Sequence, residues 1–315
     1  MGAQAAAALA APGWVGFPPA GWDAPRTGSL RLVPPPGYDL DRVARSHGGA
    51  GLAPSAYERP TRTLHRTVGV PGAGAVTVSV RTPGPGAHDG AAVLQVSWGG
   101  GALGGEDRTA LERVVARVLA LDDDLTELHA VAPRWVREAA AGRLLRAPTV
   151  WEDLAATLLS TNTSYSTVQR VMAGLVGALG SCGLAGAHGF PAPAAVLAAG
   201  EPGLRGLGCG YRAGPLLALA VGCDGREEHW LAGPSAPPDD EVRAELQRLR
   251  GFGPLCVDTM MGLLGRPRGC TVDGWLRHRL DLPPGPLPAR YARYGRWAGT
   301  VAWLDATRDL FPGCP

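Results

Sequence analysis

The chain has 315 residues, 45% hydrophobic and 18% charged, with a formal net charge of +2. It can therefore bury a sizeable core, which excludes a wholly disordered polymer. Its 46 Gly and 29 Pro follow no repeat period, which argues against a collagen-like or solenoid chain, and it lacks a run of about 18 apolar residues that would predict a membrane-spanning helix. The length suggests roughly two domains.

Residues 1–27 are rich in Ala, Gly and Pro, and no basic segment precedes the alanines. They read as an unordered tail rather than a signal peptide. Between 28 and 105 the pattern is strand-like. SLRLV (29–33), TLHRTV (63–68), AVTVSVRT (75–82) and AAVLQVSW (91–98) alternate β-branched and polar residues between Gly/Pro turns. From 106 onward the period becomes helical, beginning with Leu111, Val114, Val115, Val118 and Leu119. Thr149 and Glu152 fit a capping box at the start of a second helix. A third carries Val168, Val171, Met172, Leu175, Val176 and Leu179 and stops at Gly180. Residues 181–193 read as a flexible loop. Helical patterns resume over 211–222, 239–250, 254–264, 273–280 and 297–311. The expected fold class is α+β, with a small β-rich domain at 28–105 and a mostly helical domain at 106–315.

Two compositional facts bound the chemistry. All 30 basic residues are Arg, so the chain has no lysine amine to form a Schiff base. The six Cys (182, 209, 223, 256, 270 and 314) form no Cys-x-x-Cys pair. Without a secretory signal they read as reduced thiols in the cytosol, mostly small buried hydrophobes. Neither an iron–sulfur cluster nor a side-chain metal site is expected from this spacing.

The segment LQRLRGFGPLCVDTMMGLL (246–264) holds two apolar-periodic helices separated only by Gly251, Phe252 and Gly253. The glycines permit a tight reversal, and Pro254 suits the first position of the second helix. Such a turn aims backbone N–H groups outward, where a phosphate can sit. Arg248 and Arg250 flank it. Across 242–300 there are ten Arg against four acids, a local +6, which suits a nucleic-acid face. The alternative is an ordinary helical hairpin with a solvated basic rim. Further on, CTVDGWLRHRL (270–280) places Asp273 just before a helix bearing Trp275, Leu276 and Leu280, and by itself this reads as an N-cap aspartate; Arg277 on that helix is a further DNA-binding candidate.

Together, a Gly-x-Gly hairpin and an aspartate some twenty residues later resemble the helix-hairpin-helix DNA glycosylase superfamily. HGFPAPAAVLAAGEPGLRGLGCGYRAGPLLALA (188–220), LLSTNTS (158–164) and RYGRWAGTVAWLDATRDLF (293–311) resemble segments of 8-oxoguanine DNA glycosylases. LALDDDL (119–125) followed by TVWEDLAATLLS (149–160) resembles bacterial 3-methyladenine glycosylases, whose N-terminal domain is β-rich. FPPAGWD and SLRLVPPPGYDL resemble plant and actinobacterial members.

The resemblance implies a base-excision enzyme that flips a damaged base out of double-stranded DNA. Asn162, Tyr211 and Arg212 would fill the vacated site, although Asn162 also reads as a helix N-cap and Tyr211 as a buried loop aromatic. Asp273 would stabilise the oxocarbenium-like transition state, its ionised form favoured by the helix dipole. The family's lyase lysine falls on Leu255, which implies base release by water without strand cleavage through a Schiff base. The family's pocket Cys falls on Thr259, its base-sandwiching Phe on Ala306, its base-reading Gln on Ala302, and an Arg of the orphan-base helix on Thr167. These departures weigh against 8-oxoguanine. Leu255, Thr259, Trp275 and Trp303 would instead line a pocket for an alkylated base, with core packing as the alternative for both Trp. The resemblance further implies a monovalent cation, Na+ or K+, on the hairpin backbone at 249–253. It also implies a monomer, located at the nucleoid in a bacterium or in the nucleus in a eukaryote. A non-catalytic lesion-binding protein on the same fold is the competing reading.

Overall fold

The structure, a computed structural model, describes residues 14–16, 18–82, 93–269, 271–285 and 287–310. The architecture is α+β. An antiparallel sheet is built from β1 (Trp14–Gly16), β2 (Arg26–Leu32), β3 (Ser55–Glu58), β4 (Thr63–Val70), β5 (Gly74–Arg81) and β6 (Leu94–Gly99), in the order β1-β3-β4-β5-β6-β2. Alternation along the strands decides which side chains are buried where. Val76, Val78 and Val80 join Leu64, Val68, Leu94, Val96 and Trp98 in one core, against Leu111, Val115 and Val118 of helix α2 (Gly105–Val118). A short helix, α1 (Leu40–Ala44), contributes Leu40 and Val43 to the same core.

The other residues of these strands are polar and pair across the sheet. Thr67 meets Thr77 at 2.8 Å, and His65 meets Ser79 at 2.9 Å. The segment just after residue 17 lies over them. Thr77 donates to the Ala20 carbonyl at 2.7 Å, and Trp22 meets the His65 ring edge-on at 5.3 Å. This corrects the expected unordered tail over 1–27. Residues 14–16 pair with β3, and β2 begins at Arg26; residues 1–13 and 17 lie outside the described residues, as do Cys270 and Cys314.

The helices follow: α3 (Thr126–Val131), α4 (Arg134–Glu138), α5 (Val150–Leu159), α6 (Tyr165–Leu179), α7 (Pro193–Gly206), α8 (Ala213–Gly222), α9 (Asp239–Arg248), α10 (Pro254–Leu263), α11 (Gly274–Arg279), α12 (Ala289–Ala292) and α13 (Ala298–Thr307). A second core joins α5 to α10, through residues such as Leu154, Leu158, Met172, Leu175, Leu216, Leu246 and Met260. A third joins Leu128, Trp135 and Val136 of α3 and α4 to Trp275, Tyr291, Trp297 and Val301 near the C-terminus. Thr149 caps α5 by accepting from the Glu152 N–H, one half of the expected capping box, while the Glu152 carboxylate pairs with Arg66. The loop expected to be flexible over 181–193 is pinned to the sheet. Gly183 bridges Gly74 and Ala75, so close that any side chain at 183 would strike the Ala75 backbone. Helix α7, which is not among the helical patterns of the sequence, is broken: Gly200 has φ +63° and Pro202 follows.

His65 is 2% exposed, and its pKa is lowered to about 4, chiefly by burial and next by the Arg26 charge. It is neutral in the folded protein, so protonation favours unfolding. Stability carried by this group is present above the ordinary histidine value of 6.5 and is lost as pH falls toward 4. Denaturant titrations of His65→Gln between pH 7 and 4 should show a shallower acid loss than the wild type; parallel losses would contradict this.

Candidate active site

Sheet and helices enclose a cavity of about 620 Å³. Its lining includes Gly251, Gly253, Pro254, Leu255 and Thr259 from the hairpin, Asn162 and Tyr211 from two loops, and Asp273. These positions are distant in sequence, and the fold brings them to one place.

The hairpin forms as its sequence predicts. α9 and α10 meet at Gly251, which has φ +91°, and a side chain there would come within 2.7 Å of Leu158. Phe252 turns inward at 8% exposure and anchors the bend in the helical core. Gly253 needs no unusual backbone, but the space around its Cα is open. It is the N-cap of α10 and offers no side-chain cap, so the first-turn N–H groups have no side-chain acceptor there. Leu255, 36% exposed, stands beside them.

Asp273 is the N-cap of α11, and its Oδ1 accepts from the Leu276 N–H at 2.7 Å. The carboxyl group is half-buried and lines the cavity. The capping and the cavity-facing readings thus hold together. Its loop is set by Thr271, which donates to Asp258 of α10 at 2.7 Å, while Arg243 of α9 holds the other Asp258 oxygen at 2.9 Å.

Asn162 sits exposed at a left-handed turn with φ +45°. It is not the cap of α6; Ser164 is. Tyr211 is 57% exposed rather than a buried loop aromatic. Arg212 is held differently from the other two. It is 8% exposed, and its guanidinium donates to the carbonyls of Thr161 (2.9 Å from Nε) and Asn162 (3.1 Å), with the Tyr211 ring stacked on it at 4.4 Å. Its Nε and Nη2 hold the 161–162 turn and its face carries the Tyr211 ring; Arg212 lines the cavity too, but Asn162 and Tyr211 are the exposed side chains of the three.

Trp275 and Trp303 do not line the cavity. They pack on each other at 5.1 Å in the C-terminal core, and Trp303 donates to the Ser46 carbonyl at 2.8 Å. The base-pocket expectation for these two residues is corrected to their core alternative. The basic surplus of 242–300 is also largely consumed within the fold. Arg243, Arg266, Arg268 and Arg279 pair with Asp258, Asp239, Asp240 and Asp309, Arg248 pairs with Glu245, and Arg277 donates to the carbonyls of Pro283 and Gly285. Arg250 is exposed and forms no ion pair among the described residues.

The remaining wall comes from residues the sequence did not single out as a site. His47, Gly48 and Gly49 line the cavity on a strap tied down by Tyr165, which donates to Gly48, and Gln169, which donates to Gly51 at 2.9 Å. Opposite lie Arg66 of β4 and Glu152 of α5, an ion pair at 2.5 Å, each partner 5% exposed. Burial raises the pKa of Glu152 and of its neighbour Asp153, with Arg66 and Arg117 opposing. Glu152 entered the sequence reading only as a cap residue. Its partner is 86 residues away, beyond any local pattern. Among the described residues no group of three or more His, Cys, Asp and Glu could hold a metal ion, and no helix is long and apolar enough to cross a membrane.

Arg212→Ala should lower the unfolding free energy by about 1–3 kcal/mol, because it removes a buried guanidinium and the hydrogen bonds it makes to the 161–162 turn. Tyr211→Ala should change it by less than about 0.5 kcal/mol, as for an exposed side chain. Urea denaturation of both variants checks this; equal costs would contradict the assigned roles.

No family model matches the chain, and no curated protein matches it in sequence. Solved structures do share its fold. The 3-methyladenine DNA glycosylase from Archaeoglobus fulgidus matches with a TM-score of 0.66 at 18% identity, over 88% of this chain and 96% of that one. The 8-oxoguanine glycosylase/lyase of Clostridium acetobutylicum in its apo-form matches at 0.65 and 15%, over 91% and 99%. MBOgg1, in complex with a low affinity DNA ligand, matches at 0.63 and 17%, over 89% and 95%. These neighbours belong to the helix-hairpin-helix DNA glycosylase superfamily, and the chain has their fold.

Proposed function

We propose that this protein is a DNA glycosylase of base excision repair that hydrolyses the N-glycosidic bond of a damaged, extruded nucleotide in duplex DNA. The observation that carries this reading is the shared cavity: Asp273, the hairpin bend at 251–255 and the exposed Asn162 and Tyr211 all border it.

On this reading each part of the site has its own task. The open N–H groups at the start of α10 take a phosphate, aided by Arg250. Tyr211 wedges into the stack where the nucleotide leaves, and Asn162 meets the orphaned partner base. As the bond to the base breaks, positive charge grows on the sugar. The Asp273 carboxylate stabilises that charge and orients the attacking water. The residue after Pro254 is Leu255 and the chain holds no lysine, so the reaction ends at an abasic site without a lysine Schiff base. The hairpin backbone also fits a monovalent ion. Among the described residues the carbonyls of Arg250 and Gly251 accept no backbone hydrogen bond from a loop or turn, and carbonyl oxygens are the donors such an ion takes.

A panel of duplexes, each with one modified base, tests the reading. Wild type should release at least one base, leaving sites cleaved only after alkali. Asp273→Asn keeps an accepting cap and should lower the single-turnover rate about 10²–10³-fold, with duplex affinity retained. Release of no base by the wild type, with equal binding by both proteins, would leave only a lesion-binding protein. Affinity should fall with salt at a slope of about −0.9 per neutralised phosphate.

A further inference from the structure

The deep end of the cavity holds more hydrogen-bonding capacity than the fold uses. Arg66 donates from Nη2 to Glu152 Oε1 at 2.5 Å and from Nη1 to Ser55 Oγ at 2.7 Å. Ser55 is 1% exposed, and all three residues line the cavity. Among the described residues nothing donates to the second Glu152 oxygen, Oε2, and the Ser55 hydroxyl, which accepts from Arg66, donates to nothing. Arg66 Nε is buried without a partner. A buried ion pair gains little stability over apolar packing. The second Glu152 oxygen is not among the fully buried atoms that lack a partner, so it keeps access to the cavity that Glu152 lines, where a ligand can reach it.

Glu152, Ala156 and Ser160 recur at every fourth position of α5 and its C-cap, so one helix face runs along the cavity. The rise from Glu152 to Ser160 is about 12 Å. Glu152 is buried in the first turn of α5 and the exposed Asn162 follows the other end of that helix, so Glu152 is set back from the projecting side chains within the same cavity lining. The guanidinium fork of Arg66 holds an acceptor, Glu152 Oε2, and a donor, the Ser55 hydroxyl, side by side.

We propose that Glu152 and Ser55 read the edge of the extruded base, and that they select a lactam edge, a ring N–H beside a carbonyl, as in hypoxanthine or 7-methylguanine. The N–H donates to Glu152 Oε2 and the carbonyl accepts from Ser55. A base presenting a ring-nitrogen lone pair there, such as 1,N6-ethenoadenine, faces the carboxylate and is disfavoured. This inference rests on the glycosylase reading and adds its specificity.

Single-turnover excision of hypoxanthine, 7-methylguanine and 1,N6-ethenoadenine from duplex DNA tests it. Wild type should prefer the two lactam bases. In Glu152→Gln the side-chain carbonyl accepts from Arg66 and the amide N–H₂ turns toward the cavity, replacing an acceptor by a donor. The lactam rates should then fall about 10- to 100-fold, measured directly and relative to ethenoadenine, the discrimination typical of one paired edge. Ser55→Ala, a smaller change, should lower the same rates. If Glu152→Gln does not fold, the paired replacement R66M/E152L removes the reader without an orphaned charge, and affinity for a duplex carrying a tetrahydrofuran abasic analogue confirms an intact binding face. Equal wild-type rates on lactam and ethenoadenine bases, or folded variants with unchanged preference, would overturn the proposal while leaving the glycosylase reading intact. Excision of no base at all by the wild type would overturn both.

Discussion

The buried ion pair between Arg66 and Glu152 is the interaction around which the cavity is organised. It ties the fourth strand of the sheet to the first turn of α5, and the lining on either side depends on that attachment. The strap at 46–51 closes another wall, held by Trp303 of α13 and by Tyr165 and Gln169 of α6. Neither sheet nor helices alone would enclose the space. Removing one charge of such a pair is far more damaging than replacing both, because the survivor stays buried without a partner.

A second set of constraints places the carboxyl group of Asp273. The chain leaves α10 through Arg266, 5% exposed, whose guanidinium is taken by the carbonyls of Trp230 and Pro237 and by Asp239. Asp258 then links Arg243 and Thr271. The hairpin and the aspartate are thus cross-braced by side chains that a charge count assigns to an outer basic face. On the glycosylase reading, the DNA-facing surface would rely on backbone N–H groups and a few exposed arginines rather than on a broad positive field.

Much of this was legible in the sequence where the physics is local. Period-two runs point to four of the six strands, missing the short β1 and β3, the Gly-Phe-Gly-Pro spacing marks the bend, and Thr149 and Asp273 are caps because their side chains reach the next turn. What escaped depends on distant partners. Trp275 and Trp303 have the types a base pocket wants, yet the C-terminal core closes over them. Arg212 has the right charge for a partner base, but the 161–162 carbonyls claim it. The segment after residue 17 looks like a tail by composition and is ordered by strand edges and polar side chains of β4 and β5.

The central claim is that the Asp273 carboxylate faces the anomeric carbon of an extruded nucleotide. The most direct measurement compares the affinity of two duplexes, one carrying a cationic pyrrolidine in place of the sugar and one carrying the neutral tetrahydrofuran analogue. The account predicts that wild type binds the pyrrolidine duplex at least about tenfold more tightly, as a transition-state mimic should, and that Asp273→Asn erases the difference. Equal affinity of the wild type for the two duplexes would contradict it.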